Sequence, residues 1–105
     1  AEIGEGTVVL HQATVNAGAK IGKGVIINTA ANIEHGVVVG DYAHISTGVM
    51  VNGDCKVGAN TFIGSRSVLA NGVKVCDNCV VGAGSIVIKD ITESGTYVGC
   101  PVRKL

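Results

Sequence analysis

Aromatic residues and proline are almost absent from this 105-residue chain. It has no tryptophan, one phenylalanine (Phe62), two tyrosines and a single proline (Pro101). Its hydrophobic core must therefore be built from aliphatic side chains, which the 47% hydrophobic composition supplies. One proline beside 16 glycines also excludes collagen, which needs both residue types in a strict repeat. The length predicts a single domain.

An excess of charge of either sign is also lacking. Eight basic residues balance eight acidic ones, whereas a nucleic-acid or anionic-membrane surface needs a basic excess. The sequence contains no apolar run of the roughly 18 residues that span a bilayer. It also contains no basic, then apolar, secretory leader. We therefore expect no nucleic-acid partner, no membrane partner and a cytoplasmic location.

A six-residue repeat dominates what is present. Every sixth residue from Ile3 to Val87 is a branched aliphatic, fifteen in succession. The residue two positions earlier is small in every unit, and the two positions share one face of a strand. Gly, Asn or Asp stands three positions after the aliphatic in eleven of the fifteen units. These residues tolerate a positive φ, so each unit predicts a short strand followed by a sharp corner.

Units of this length exclude the common alternatives. An α-helix repeats its apolar positions every 3.6 residues, and a hairpin meander needs longer strands. Short strands with identical corners wind into a solenoid instead. Three units form a triangular coil of 18 residues, so the fifteen units predict five coils. Stacking at about 4.8 Å per coil predicts a prism about 24 Å tall, with residues i and i+18 in contact.

The residue before each aliphatic is expected to point outward, which gives the prism three faces. One face is mostly charged, whereas the other two are largely apolar. Contiguous apolar surface marks an interface, and two such faces on a three-sided prism predict a closed trimer. A dimer or a partner-protein interface is the alternative. The apolar faces comprise Val8, Ile26, His44, Phe62 and Val80, and Thr14, Asn32, Met50, Val68 and Ile86.

Four cysteines raise the possibilities of disulfides or a zinc site. The Cys76-x-x-Cys79 pair is half of a zinc signature, but no second pair has matching spacing. A disulfide framework is typical of secreted chains. In the repeat, Cys55 and Cys79 take the small inward position and Cys76 takes a corner position. We therefore favour reduced cysteines that serve in packing.

The units Ile21-Gly22, Val39-Gly40 and Val81-Gly82 resemble the hexapeptide repeat of the left-handed parallel β-helix acyltransferases. The resemblance implies an all-β fold, a left-handed parallel β-helix of five coils over residues 1–92. Residues 93–105 are then a C-terminal capping tail. Residues 28–48 resemble the sugar O/N-acetyltransferases, which include sialic acid O-acetyltransferases and nucleotide amino-sugar N-acetyltransferases. Such enzymes usually carry an amino-terminal substrate domain, so we expect this chain to be the catalytic β-helix domain alone.

The resemblance also implies the activity. It predicts a homotrimer, with sites between subunits, that transfers acetyl from acetyl-CoA to an amine or hydroxyl of a sugar or nucleotide sugar without a metal. In this family an Asn-x6-His pair and a second His nine residues later carry the site, and Asn28, His35 and His44 match that spacing. His35 is then the general base and His44 contacts the thioester or pantetheine region. Asn28 supports the substrate end.

Stacking adds further candidates for binding acetyl-CoA. Gly53 lies directly above His35, where its missing side chain leaves room for a substrate carbonyl and its N–H is suited to stabilise an oxyanion. Another corner column carries Ser65, Ala83 and Gly84, which are small enough to expose backbone groups to acetyl-CoA. In the tail, Arg103 or Lys104 either meets a CoA phosphate or belongs to a segment that only covers the last coil.

One residue departs from the family pattern. The family usually has an acidic residue directly after the base, and this chain has Gly36. A partner carboxylate stabilises the imidazolium form of a histidine. We therefore expect His35 to be a weaker base, or a carboxylate of a neighbouring subunit to substitute.

Two other functions remain open at this point. The chain is alternatively a non-catalytic trimeric β-helix module or a truncated acyltransferase. A γ-type carbonic anhydrase shares the repeat and binds zinc through three histidines. The spacing of His11, His35 and His44 does not match that family, so the carbonic anhydrase is the weaker alternative.

Overall fold

The structure is a computed structural model that describes residues 1–105, and it consists of strands, turns and bends without a helix. The chain thus has no helix that is long and apolar enough to cross a membrane. Fifteen two-residue strands, β1 to β15, follow one another at the six-residue spacing of the repeat and form three parallel sheets. Residue i pairs with residue i+18, as in Ile3 with Ile21 and Phe62 with Val80. The predicted parallel β-helix of five coils is therefore confirmed.

Each sheet forms one face of the prism. The basic face consists of β1 (Glu2–Ile3), β4 (Lys20–Ile21), β7 (Val38–Val39), β10 (Lys56–Val57) and β13 (Lys74–Val75). The histidine face consists of β2 (Val8–Val9), β5 (Ile26–Ile27), β8 (His44–Ile45), β11 (Phe62–Ile63) and β14 (Val80–Val81). The methionine face consists of β3 (Thr14–Val15), β6 (Asn32–Ile33), β9 (Met50–Val51), β12 (Val68–Leu69) and β15 (Ile86–Val87).

Three corners join these faces. The corner between the histidine and methionine faces contains residues 28–31, 46–49, 64–67 and 82–85, and is called the Asn28 corner. The corner between the methionine and basic faces contains residues 34–37, 52–55 and 70–73, and is called the His35 corner. A positive φ recurs at every sixth residue from Gly6 to Gly84, with values from 56° to 74°. Asp90, which the repeat also places at a corner, breaks this series: its Oδ1 accepts the Lys74 N–H at 2.9 Å as the chain leaves the β-helix.

The core is one continuous column of aliphatic side chains. Its 22 buried hydrophobic residues run from Ala19 to Ile91 and include the inward aliphatics of coils two to five. The first coil is covered only in part, since its inward Ile3 is 49% and Val9 is 40% exposed. The outward positions of the histidine face also expose apolar surface at Val8, Phe62 and Val80.

The cysteines are all unpaired thiols. The Cys55 thiol is buried and donates to the Ala70 carbonyl at 3.0 Å. The Cys79 thiol is buried and lies 3.3 Å from the Cys76 thiol. This arrangement agrees with reduced side chains that pack in the repeat.

The last residues extend the histidine face. Strand β16 (Thr96–Gly99) pairs in parallel with β14, and β17 (Val102–Lys104) pairs antiparallel with β16. The Tyr97 hydroxyl donates to the Glu93 carbonyl at 2.7 Å, which ties the hairpin to the segment that precedes it. The principal extents are 32 × 21 × 19 Å, so the molecule is longer than the 24 Å predicted for five coils.

Candidate active site

His35 and Gly53 meet at the His35 corner, as the stacking predicts. His35 is exposed on the second coil, and its ring lies where a side chain on Gly53 would be. A Cβ on Gly53 would stand 2.7 Å from Cε1 and 2.8 Å from Nε2 of His35. The space that a side chain on Gly53 would take is therefore filled by the imidazole itself. The expectation that glycine leaves this space to a substrate carbonyl is wrong for the side chain positions seen here, because the His35 ring folds over the next coil.

The Gly53 amide is a free hydrogen-bond donor. Its carbonyl accepts the Gly72 N–H at 2.9 Å, but its own N–H donates to no acceptor in the chain. Gly53 is buried, and buried N–H groups are almost always paired in folded proteins. An unpaired amide next to the imidazole of a candidate base is available to stabilise an anion.

Asn28 and His44 form a second cluster. The Asn28 carboxamide Oδ1 accepts the Thr29 N–H at 2.7 Å, which fixes the orientation of the amide. Its Nδ2 group lies 3.2 Å from Nε2 of His44. Because an amide nitrogen can only donate, Nε2 is the acceptor and the neutral ring carries its proton on Nδ1. Asn28 thus contacts His44 in this structure, and its role at the substrate end stays a prediction.

The His44 ring also contacts the Phe62 ring. The sequence repeat predicts that these two residues are neighbours, but it does not predict the angle between their rings. The Phe62 ring lies one coil above, with 5.1 Å between ring centroids and an interplanar angle of 90°. Such an edge-to-face contact is favourable and fixes both rings. His44 is half-buried, so its orientation is set by Asn28 and Phe62 together.

The predicted acetyl-CoA column continues along the Asn28 corner. The Ser65 hydroxyl lies 3.0 Å from the Ser46 hydroxyl of the coil below. Ala83 and Gly84 are exposed, and nothing lies within 4 Å of the Cβ position on Gly84. The Gly84 N–H is already used, since it donates to the Ser65 carbonyl at 2.8 Å. The column thus offers an open surface, but not the Gly84 amide.

The structure does not bring the two clusters together within one chain. His35 and Gly53 occupy the corner between the methionine and basic faces. His44 lies on the histidine face and Asn28 on its border with the methionine face. Since these positions belong to different corners of the prism, only a neighbouring molecule can place one cluster against the other.

Sequence reasoning missed one acidic side chain that reaches Gly36, the residue after His35. Asp54 follows Gly53, and its Oδ1 occupies the place that a side chain on Gly36 would take. Applying the 18-residue stacking to Gly36 would have found it. No three His, Cys, Asp or Glu side chains of the chain converge on one point that would hold a metal ion.

The two concave regions of the surface both lie at the C-terminal hairpin. One has a volume of about 640 Å³ and is lined by residues 98–101 and 103–105, including both cationic tail residues. Lys104 forms an ion pair with Glu93, which raises the Lys104 pKa and lowers the pKa of the Glu93 carboxyl. Arg103 has no such partner, so it is the tail cation available to an anion.

Known proteins share both the repeat and the fold. The family described as "Bacterial transferase hexapeptide (six repeats)" matches residues 54–89. The acetyltransferase domain of PglB from Neisseria gonorrhoeae superposes with a TM-score of 0.98 at 34% identity, over 99% of this chain and 51% of that one. The same domain has also been solved in complex with acetyl coenzyme A.

Two further structures have the same architecture. PerB from Caulobacter crescentus, solved in complex with CoA and GDP-perosamine, has a TM-score of 0.97 at 31% identity, over 99% of this chain and 50% of that one. WeeI from Acinetobacter baumannii has a TM-score of 0.94 at 29% identity, over 99% of this chain and 51% of that one. This chain therefore spans about half the length of these relatives.

Proposed function

We propose that this chain, whose residues 54–89 match the bacterial hexapeptide transferase family, transfers acetyl from acetyl-CoA to the amino group of a nucleotide-linked sugar. The observation that carries the proposal is the His35 imidazole packed against Gly53, whose amide is unpaired, since this brings a base close to an oxyanion donor. The choice of an amine follows from PerB, whose structure holds GDP-perosamine, and from the name GDP-perosamine N-acetyltransferase given to its variant.

The proposed reaction is a direct transfer. His35 removes a proton from the acceptor amine as the nitrogen attacks the thioester carbonyl. The tetrahedral oxyanion is stabilised by the Gly53 N–H once the His35 ring has turned toward the amine. The C–S bond then breaks, and His35 returns the proton to the departing CoA sulfur. No covalent enzyme intermediate is needed, and the buried thiols of Cys55 and Cys79 are not placed to form one.

The second cluster binds the acetyl donor in this proposal. The neutral His44 ring, with its proton on Nδ1, presents a donor for the thioester or the pantetheine arm. The arm then runs between subunits along the stacked coils. Contacts to Ser65, Ala83 and Gly84 stay a prediction, because a trimer built on the histidine and methionine faces turns the Asn28 corner toward its three-fold axis. Arg103 lies at the far end of the molecule and is suited to a CoA phosphate.

The two clusters must come from different subunits. We propose a homotrimer in which the histidine face of one subunit meets the methionine face of the next. The exposed Val8, Phe62 and Val80 side chains on the histidine face support this, because contiguous apolar surface favours association. Each interface then places His44 of one subunit near the His35 corner of its neighbour. A cytoplasmic location, where acetyl-CoA is available, completes the proposal.

Mass spectrometry of products tests this function. The protein is incubated with acetyl-CoA and a panel of nucleotide-linked amino sugars, with matched hydroxyl sugars and sialic acids as competing acceptors. We expect a gain of about 42 Da on an amino sugar, and a loss of at least about 100-fold in rate for His35→Ala. His11→Ala is the matched control, since His11 is an exposed histidine of the first coil. Acetylation of hydroxyl acceptors alone, or full activity in His35→Ala, would contradict the proposal.

A further inference from the structure

Consecutive coils interlock at the His35 corner through two residues on each coil. The His35 side chain reaches up to the position that a side chain on Gly53 would take, and the Asp54 side chain reaches down to the position that a side chain on Gly36 would take. The two glycines make room for the two side chains. The imidazole and the carboxylate therefore extend past each other from adjacent coils, and the Asp54 N–H donates to the His35 carbonyl at 3.0 Å.

The Asp54 carboxylate is unengaged, unlike those of the other corner aspartates. Asp41, Asp77 and Asp90 each accept a backbone N–H with Oδ1, at 3.0, 2.8 and 2.9 Å respectively. Asp54 accepts no hydrogen bond within the chain. A carboxylate that caps no backbone group is available to another side chain.

The other charged groups near the His35 corner either have a hydrogen-bond partner or lie on the outer surface of the basic face. Glu34, its neighbour in sequence, accepts from Asn16 Nδ2 at 3.3 Å in the coil below. Lys20 and Lys56 occupy outward positions of β4 and β10 on the basic face. The packed coils thus offer His35 one unengaged anion, which is Asp54.

The two side chains form no ion pair in the rotamers observed. We propose that Asp54 is the positioning residue of the base: when the His35 ring turns to accept a proton, this same-chain carboxylate orients the ring and stabilises its imidazolium form. When His35 takes the amine proton, the ring becomes a cation while Asp54 stays ionised and takes no proton. The proton later leaves for the CoA sulfur, so His35 returns to neutral. An opposite charge close to a histidine favours the charged form, which makes the ring a stronger base. The catalytic consequence of this inference rests on the proposed acetyl transfer, but the pairing itself does not.

The first test needs no substrate. The ring resonances of the three histidines are followed by NMR against pH, and His11→Gln and His44→Gln identify the His35 signal. In Asp54→Asn we expect the midpoint of the His35 titration to fall by about half to one pH unit. Asp41→Asn is the matched control: it removes a corner carboxylate but keeps the oxygen that accepts the Lys23 N–H. An unchanged His35 midpoint in Asp54→Asn would overturn the inference.

The second test uses the reaction. In Asp54→Asn, the acid limb of the kcat/KM profile should move to lower pH, and its plateau should fall by about three- to tenfold. The KM for acetyl-CoA should stay unchanged, and Asp54→Glu should recover part of the plateau. A wild-type pH profile in Asp54→Asn would overturn the inference, whatever its effect on stability.

The two readouts separate the possible failures. If the wild-type chain acetylates no acceptor but Asp54→Asn shifts the His35 midpoint, the proposed function fails and the pairing stands. If the wild-type chain is active and neither the midpoint nor the profile moves, the pairing fails and the proposed function stands.

Discussion

The Asn28 carboxamide donates to Nε2 of His44 at 3.2 Å across one coil, while its oxygen is held by the Thr29 N–H at 2.7 Å. The amide cannot flip without losing the backbone bond. The tautomer of His44 is therefore set by a residue 16 positions earlier in the chain. The Asn28 side chain thus decides which ring nitrogen of His44 can donate a hydrogen bond to a bound molecule.

Replacing this amide by a carboxylate should reverse the polarity of the contact. In Asn28→Asp the oxygen still accepts the Thr29 N–H, so we expect little change in Tm. The second oxygen now requires a proton on His44 Nε2, so the donor on Nδ1 persists only when the ring is charged. We expect kcat/KM to fall by about tenfold or more at pH 8, with partial recovery at pH 6.

Asn78→Asp is the matched control for that measurement, because Asn78 is an exposed corner amide without a side-chain hydrogen bond. Its kinetics should be those of the wild type at both pH values. Equal losses at pH 6 and pH 8 in Asn28→Asp would contradict the assigned tautomer.

Replacing alanine by glycine should have opposite effects on the free energy of unfolding at two corner positions, because only one of them has a positive φ. Ala30 has φ 59°, a conformation that costs an L-residue about 1–2 kcal/mol relative to glycine. Ala30→Gly should therefore raise the free energy of unfolding by about 0.5–1 kcal/mol, after the entropy that glycine adds to the unfolded chain. Ala59 has an ordinary φ, so Ala59→Gly should lower it by about 0.5–1 kcal/mol. Chemical denaturation of both variants checks the prediction, and shifts of the same sign would contradict it.

Thiol ionisation predicts a loss of stability at alkaline pH. Burial, together with the contact to the Cys76 thiol, raises the pKa of Cys79 from 9.0 to about 11. Between pH 9 and 11 the unfolded chain releases this proton while the folded chain keeps it, so the free energy of unfolding falls as pH rises. Denaturant titrations in reducing buffer measure the slope.

The slope should be shallower in Cys79→Ala and unchanged in Cys100→Ala, since Cys100 is exposed. Burial also raises the pKa of Cys55, so the Cys55 thiol contributes part of the alkaline loss of stability in both variants. A Cys79→Ala slope equal to that of the wild type would show that this thiol does not titrate with folding.

The proposed trimer predicts different effects of one substitution on two faces. Val80 and Val38 are both outward strand residues, 42% and 37% exposed, on the histidine and basic faces respectively. Val80→Asp buries a charge at the proposed interface, so we expect the dissociation constant to rise by about 100-fold or more. Activity should fall with it, because His35 and His44 lie on different faces of one subunit. Val38→Asp should change neither.

Sedimentation velocity and initial rates, measured on the same samples, check this prediction. Equal dissociation of both variants would place the basic face in the interface as well. A fully active Val80→Asp monomer would contradict a site shared between subunits.

The three sheets could be predicted from the sequence because the six-residue repeat determines which residues of adjacent coils pair with each other. Each outward residue stacks on the residue predicted, as in His44 between Ile26 and Phe62. Tyr42 and Arg66 take the corner conformation although neither favours it, with φ 62° and 60°. The surrounding ladder thus overrides local preference, as tertiary structure often does.

The details of the candidate site were less accessible from sequence. The repeat places Gly53 above His35, but it does not state which rotamer the imidazole adopts, and the ring turned out to fill the space. The Asp54 carboxylate was overlooked because its corner position has a structural explanation of its own. Side-chain direction depends on contacts between coils, which a pattern of residue types does not encode. The hairpin of β16 and β17 lies outside the repeat, so no periodicity predicts it.

The pairing of each residue with the one 18 positions later restricts how such a chain can change in length. Deleting one residue between two strands would exchange inside and outside for every later strand of that molecule. Deleting or duplicating a whole coil leaves each remaining side chain in its place. Insertions and deletions that survive selection should therefore come in steps of a full coil, or as excursions that leave a corner and return to it. His35 and Asp54 sit on adjacent coils, so even a whole-coil insertion between them would separate the base from its carboxylate.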